Sequence, residues 1–166
     1  RLTAEELRDA MLATAGIVNL QLGGESVYPP LPQAVLATAS RPEEAWGQAT
    51  PEQAARRSLY VHVKRSLLEP LLSGFDMADT DSSCPVRYAT VQPTQALMLF
   101  NGDFAHRTAQ QFAERLQKER QGMRAQIERG LFFFNVAVNH LCRCVRQFVS
   151  RILIFVRRSA RALSRI

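Results

Sequence analysis

Cysteine and histidine are scarce in this chain, with three of each among 166 residues. Three cysteines are an odd number, and Cys142 and Cys144 lie too close in sequence to bridge comfortably, so no disulfide framework is expected. His62, His106 and His140 lack the spacing of a zinc site, and each is interpreted as a packed or surface residue. We therefore expect no bound metal and no other cofactor.

Several short catalytic motifs are also missing. No G-x-S-x-G stretch supports a hydrolase triad, and "LGGES" at residues 22–26 lacks the lysine and the spacing of a phosphate loop. Cys84 has no base beside it in sequence, as a nucleophile would need. The apolar stretch at 130–142 is shorter than the roughly 20 residues of a membrane span. No residue pattern fixes a reaction, and whether the chain is an enzyme stays open.

Acidic residues are absent from residues 129–166, which hold eight arginines. Without these eight, the chain's 21 basic residues fall to 13 against 15 acidic ones, a net charge of −2 for residues 1–128. The net charge of +6 therefore does not indicate a nucleic-acid partner for the body of the protein. The charge distribution divides the chain into a domain at 1–128 and a basic, apolar, helical tail at 129–166.

The tail permits three interpretations. Its second half places Phe148, Ile152, Phe155 and Leu163 opposite several arginines, the pattern of a helix that contacts an anionic membrane surface. Alternatively, the helix lacks its packing partner because the chain is part of a longer protein. A third interpretation is a non-native sequence read in a shifted frame.

The first residues predict a helix that ends in a long loop. Thr3 and Glu6 have the spacing of a capping box, an apolar stripe recurs through Leu7 and Met11, and Gly16 is placed to end the helix. Residues 22–51 are rich in glycine and proline with few periodic apolar positions, which indicates an ordered loop with one or two short helical turns. Such a loop either packs across the surface of the domain or lines a cleft.

The rest of the body reads as helices with two extended segments between them. "RRSLYVHVKRS" and "PVRYATVQP" have strand-like composition and could pair as a two-stranded ribbon, with a helix ending at Gly74 between them. Thr94 is expected to cap a short helix, Asn101 to open a longer one, and a last helix to begin near Met123 after Gly122. The predicted class is mainly α, an irregular helical domain with a long ordered loop and a short ribbon.

The segment "FDMADTDSSC" at 75–84 concentrates three carboxylates, Asp76, Asp79 and Asp81. An EF-hand frame starting at Asp76 fails, because an arginine occupies the position of the bidentate glutamate. We interpret the segment as a turn in which carboxylates cap backbone N–H groups, with a looser oxygen site of Asp79, Asp81 and Ser83 as the alternative.

Two other groups of side chains are candidates for ligand binding. Arg56, Arg57, Lys64, Arg65 and Arg87 are compatible with a cationic rim for an anionic ligand, or with a salt-bridged surface. In the loop, Tyr28 and Trp46 are placed either to stack on a sugar ring or to anchor the loop to the core.

Four blocks, "RLTAEELRDAML", "GGESVYPPLP", "RRSLYVHVKRSLLEPLLSGFDMADTDSSCPVR" and "TVQPTQALMLFNGDF", resemble in order the planctomycete secreted (surface) domain one family, over about residues 1–118. The resemblance implies a mostly helical domain of an exported multidomain protein, located outside the cytoplasm and preceded by a domain that can be cytochrome c-like. It also implies a link to polysaccharide processing. The family's closing L-N-x-x-E-F motif is not found, and "NHLCRCVRQF" stands in its place.

With this resemblance, the polar residues on the matching blocks become the candidates for a shared ligand site: Arg57, Tyr60, Lys64, Arg65, Asp76, Asp79, Arg87, Gln92, Gln95 and Asn101. The same residues are also compatible with a buried network that holds the loop, and we favour this structural interpretation. We predict a non-catalytic scaffold or interaction module that contacts an acidic glycan. The alternative is a carboxylate-based glycan hydrolase or lyase using Asp76, Asp79 or Asp81.

Overall fold

The computed structural model describes residues 2–140, with side chains through residue 133. The chain divides into two compact units. The first contains Leu2–Ala13 and Ile17–Gln92, and the second contains Thr14–Gly16 and the described part of residues 93–166. The predictions made for Cys142, Cys144 and the tail's basic helix lie outside the described residues.

The first helix, α1, spans Ala4–Ala15. The predicted capping box is confirmed, because the Thr3 amide donates to Glu6 Oε2 at 2.9 Å and the Glu6 amide donates to Thr3 Oγ1 at 3.3 Å. Leu7 and Met11 are buried along one face. Gly16 ends the helix with a φ of 76°, a left-handed conformation that favours glycine.

The predicted long loop is confirmed, and it contains two short helices. These are α2 at Gln33–Leu36 and α3 at Pro51–Ala54, where Thr50 and Gln53 form a capping box. Between them, Arg41 to Trp46 form turns. A 3₁₀ turn at Ser58–Tyr60 follows, and α4 spans Pro70–Gly74. The core beneath the loop is built from Val27, Leu31, Val61, Leu67, Leu71, Leu72 and Phe75.

The extended segments pair differently from the predicted ribbon. Val61 forms a parallel bridge with Val27 in the loop, and no bridge joins it to residues 85–93 within the described chain. The 85–93 segment is mostly exposed, and the amide of Thr90 is bonded to the carboxylate of Asp76. Because that amide already has a side-chain acceptor, it is not available to a strand ladder.

Three helices form the second unit: α5 at Pro93–Asn101, α6 at Asp103–Glu119 and α7 at Met123–His140. Asn101 ends α5 and does not open α6 as predicted. Gly102 is the N-cap of α6, where a Cβ would stand 2.6 Å from the carbonyl oxygen of Met98. The predicted apolar face of α6 is confirmed, with Ala105, Phe112, Ala113 and Leu116 buried.

The mainly α class is confirmed, since the described residues form seven α-helices and no sheet or barrel. Within those residues, no helix is both long enough and apolar enough to cross a membrane.

Candidate functional site

A buried arginine in α1 organises the first unit. Arg8 is only 1% exposed, and its Nη2 donates to the carbonyl oxygen of Ala54 at 2.7 Å. Its Nη1 donates to the carbonyl oxygen of Arg56 at 3.0 Å and to Ser58 Oγ at 3.3 Å. One side chain of α1 therefore holds the last residue of α3 and the backbone that follows it.

The neighbouring carboxylate of Asp9 completes this attachment. Its Oδ1 accepts hydrogen bonds from the amide and the hydroxyl of Ser58, both at 2.7 Å. Its Oδ2 lies 3.4 Å from Nε of Arg57. The predicted site residue Arg57 is thus part of a structural ion pair.

A second buried arginine, Arg56, holds the glycine-rich part of the loop. It is 5% exposed, and its guanidinium donates to the carbonyl oxygens of Gln21, Gly23 and Glu25. The guanidinium also lies 4.0 Å from the ring centroid of Tyr60, whose hydroxyl accepts from the Gly23 amide at 3.0 Å. Arg56 and Tyr60 together position residues 21–25.

Glu69 is the buried carboxylate of this region. Its Oε2 accepts from the Leu72 amide at 2.7 Å and caps α4. Burial raises the pKa of Glu69, while that amide and the charge of Arg8 oppose the increase. Burial also lowers the pKa of Arg8, partly offset by Glu69 and Asp9.

The acidic segment forms the turn that we interpreted from the sequence. Asp76 Oδ2 accepts from the Thr90 amide and its Oδ1 accepts from the Thr90 hydroxyl, both at 2.8 Å. Asp79 accepts from the Asp81 amide at 2.9 Å and from the Ser82 hydroxyl at 2.6 Å. These bonds, the one from Ser82 first, lower the pKa of the Asp79 carboxyl. The carboxylates of Asp76 and Asp79 therefore cap backbone N–H groups, as interpreted from the sequence.

The cations of the predicted rim each have a local partner. Arg65 lies 3.3 Å from Asp81 Oδ1 and donates to the Thr80 carbonyl oxygen. The remaining contacts join Arg87 to Glu5 at 2.9 Å and Lys64 Nζ to the Ala45 carbonyl oxygen at 2.8 Å. The salt-bridged interpretation therefore describes this surface better than an open anion site.

The last three predicted site residues are not part of the Arg8 network. Gln92 is exposed at the end of the first unit. Gln95 and Asn101 belong to α5 in the second unit, where Gln95 is buried and Asn101 is exposed. The ten candidates are therefore spread over several local structures.

An open cleft lies elsewhere in the first unit, against the loop. Its volume is about 770 Å³, and its lining includes Tyr28, Gln33, Glu43, Trp46 and Gln48. Volumes of roughly 300–1,000 Å³ are typical of small-molecule sites in proteins. We call it the loop cleft.

Three aromatic rings pack together beside the loop cleft, and two of them, those of Tyr28 and Trp46, line it. The Tyr28 and Trp46 rings are perpendicular with centroids 5.4 Å apart, and the His62 ring lies 4.7 Å from that of Tyr28. Trp46 Nε1 donates to the Pro29 carbonyl oxygen at 2.7 Å, and Gly47 lies so close that a Cβ there would stand 2.7 Å from the Tyr28 ring. The Trp46 ring is thus held within the loop, by Pro29 and Tyr28, and both rings line the cleft.

Sequence reasoning did not identify Arg8, Asp9 and Glu69 as a buried network. The available signal was Arg8, which lies on the otherwise apolar face of α1, since charged residues are rarely buried unless paired. Among the described residues, no group of three or more His, Cys, Asp or Glu side chains is arranged to hold a metal ion.

Comparison with known proteins gives one family. The profile of the PSD1 family, described as "Protein of unknown function (DUF1553)", matches residues 1–153. No curated protein and no solved structure matches the chain significantly. Because the matched residues cover most of its length, the chain belongs to the PSD1 family of proteins of unknown function.

Proposed function

We propose that this chain is a non-catalytic interaction module that binds its ligand in the loop cleft. The observation that carries the proposal is the contrast between two groups of polar side chains. The carboxylates and cations of the acidic segment and rim are bonded to neighbouring side chains and to the backbone. The loop cleft, in contrast, is open and lined by aromatic, amide and apolar side chains and by the carboxylate of Glu43.

The alternative, a carboxylate-based hydrolase or lyase, has less support. A general acid needs a raised pKa and access to the substrate. The pKa of Asp79 is lowered, and Asp76 uses both oxygens on Thr90. Glu69 has a raised pKa, but it is buried and caps α4.

The setting of the module is proposed on the family resemblance. We place it in an exported multidomain protein that participates in polysaccharide processing, next to an upstream domain that can be cytochrome c-like. The basic tail is proposed to contact an anionic membrane surface. Vesicle binding that disappears at high salt, and on deletion of residues 141–166, tests the tail.

The cleft itself is tested without assuming a ligand class. Two-dimensional amide NMR spectra are recorded with a fragment set that contains monosaccharides, amino acids, carboxylates and amines. We expect some of these fragments to shift the amide signals of Tyr28, Trp46 and Gly47, and Ala37→Trp, which fills the cleft, to abolish the shifts. Val86→Trp adds the same bulk to an exposed position outside the cleft and is the matched control. The proposal is wrong if no fragment shifts these signals, or if Ala37→Trp leaves the shifts unchanged.

A further inference from the structure

We propose that the ligand of the loop cleft is an uncharged oligosaccharide with more than one sugar unit, bound through the hydroxyl of Tyr28 and the amide of Gln48. This inference rests on the proposed function and adds the chemical class of the ligand.

The shape of the site indicates an elongated ligand. A second cleft of about 350 Å³ adjoins the loop cleft, and Tyr28, Gln48 and Ala49 line both. The two clefts therefore meet at Tyr28 and Gln48, and we refer to both together as the groove. A groove with two compartments suits a chain of sugar units better than a single small molecule.

The polar groups of the groove suit hydroxyl groups. Tyr28, Gln33 and Gln48 line the groove, and within the described part of the chain the Tyr28 hydroxyl and the two side-chain amides form no hydrogen bond. Each of these groups can donate and accept. Sugar hydroxyls also do both, so such a lining satisfies them in either direction.

The remaining lining suits the apolar faces of sugar rings. Pro30, Leu31, Leu36 and Pro42 line the loop cleft beside the half-buried Trp46. The Trp46 indole is held in place by its bond to the Pro29 carbonyl, so an apolar surface is available without prior ordering of a side chain.

The charges of the groove disfavour an anionic ligand. Glu43 lines the loop cleft, and Glu25 lines the second cleft. The cation that lines the groove is Arg56, which is buried and already donates to three carbonyl oxygens. Arg57, Lys64, Arg65 and Arg87 line neither cleft. A sulfated or uronic chain would thus meet carboxylates without an available cation, so the groove favours a neutral one.

Binding is measured by isothermal titration with neutral hexasaccharides of the β-glucan, α-glucan, xylan and mannan types. A heparin hexasaccharide and a trilysine peptide represent anionic and cationic ligands. We expect at least one neutral hexasaccharide to bind more than tenfold more tightly than its monosaccharide and than either charged probe. Tyr28→Phe keeps the ring packing and should weaken that binding about fivefold, as expected for one lost hydrogen bond. Tyr88→Phe, at an exposed tyrosine outside the groove, should leave it unchanged.

The outcomes separate this inference from the proposed function. The inference is wrong if the heparin hexasaccharide or trilysine binds more tightly than every neutral hexasaccharide. It is also wrong if Tyr28→Phe, with an amide spectrum that shows an intact fold, binds the neutral hexasaccharide as tightly as the wild type does. If fragments shift the cleft signals but no neutral hexasaccharide binds, the inference is wrong and the proposed function stands. If nothing shifts those signals, the proposed function itself fails.

Discussion

The contact between Asp76 and Thr90 makes a sharp test of the structural role assigned to the acidic segment. Asp76 has a φ of 62°, the left-handed conformation that aspartate, asparagine and glycine tolerate better than alanine. Both of its carboxylate oxygens accept hydrogen bonds from Thr90 at 2.8 Å. Three substitutions, Asp76→Ala, Asp76→Gly and Asp76→Asn, separate the hydrogen bonds from the backbone conformation.

The magnitudes follow from these two features. A hydrogen bond to a charged group contributes about 1.5–3 kcal/mol, and we take the lower end for each of the two because the site is only partly buried. Asp76→Gly should then lower the free energy of unfolding by about 3 kcal/mol. Alanine adds about 1 kcal/mol for its left-handed conformation, which gives about 4 kcal/mol. Asparagine keeps a neutral acceptor and the tolerated conformation, so its loss is about 1–2 kcal/mol.

Equilibrium unfolding in urea measures these losses. Trp46 is the single tryptophan of the chain and lies in the same unit as Asp76, so its fluorescence reports the transition. Thr90→Val is the partner variant, and its effect should not add to that of Asp76→Ala, since both remove the same contact. The reasoning is refuted if the free energy of unfolding of Asp76→Ala is within about 0.5 kcal/mol of the wild-type value. It is refuted as well if the losses from Asp76→Ala and Thr90→Val add fully in the double variant. Either result would show that Asp76 does not hold this segment and would reopen a catalytic role.

Two further predictions concern titration. Glu69 has a folded-state pKa above its ordinary value of 4.5, so the native state binds more protons than the unfolded state and stability falls as the pH rises from 4.5 through the raised pKa. Glu69→Gln should flatten the dependence of the urea midpoint on pH across that window, and an unchanged slope would contradict the assignment. Ser82→Ala should bring the pKa of Asp79 back toward its ordinary value of 3.8, measured by carboxyl-carbon NMR, because the Ser82 hydroxyl is the largest cause of its lowering. An unmoved titration curve would show that the turn does not act through that bond.

The local features of the fold were predictable because their partners are close in sequence. Thr3 and Glu6 form their capping box within one turn, and Gly122 separates two helices with a φ of 88° that glycine adopts easily. The turn at Asp79 was predictable for the same reason, because the Asp79 carboxylate accepts from the Asp81 amide and the Ser82 hydroxyl, two and three residues further along the chain. In each case the residue types and the spacing together determine the contact.

The long-range contacts could not be inferred from spacing. Arg8 bonds to the backbone near Arg56, 48 residues away, and Arg87 pairs with Glu5 across 82 residues. A charged residue that becomes buried needs a bonding partner, but the sequence does not show which residue this is, because the partner is determined by the path of the folded chain. The loop cleft depends on the same path, because it forms where the turn holding Trp46 returns to Tyr28.

Because Arg56 holds the groove through backbone carbonyl oxygens, the side chains beside these carbonyls are free to change. Its guanidinium contacts the backbone of residues 21–25 and none of their side chains in the described bonds. Exchanging the side chains of Gln21 or Glu25 should therefore leave the backbone path of residues 21–25 beside the groove unchanged. New selectivity can be introduced at these two positions without rebuilding the scaffold.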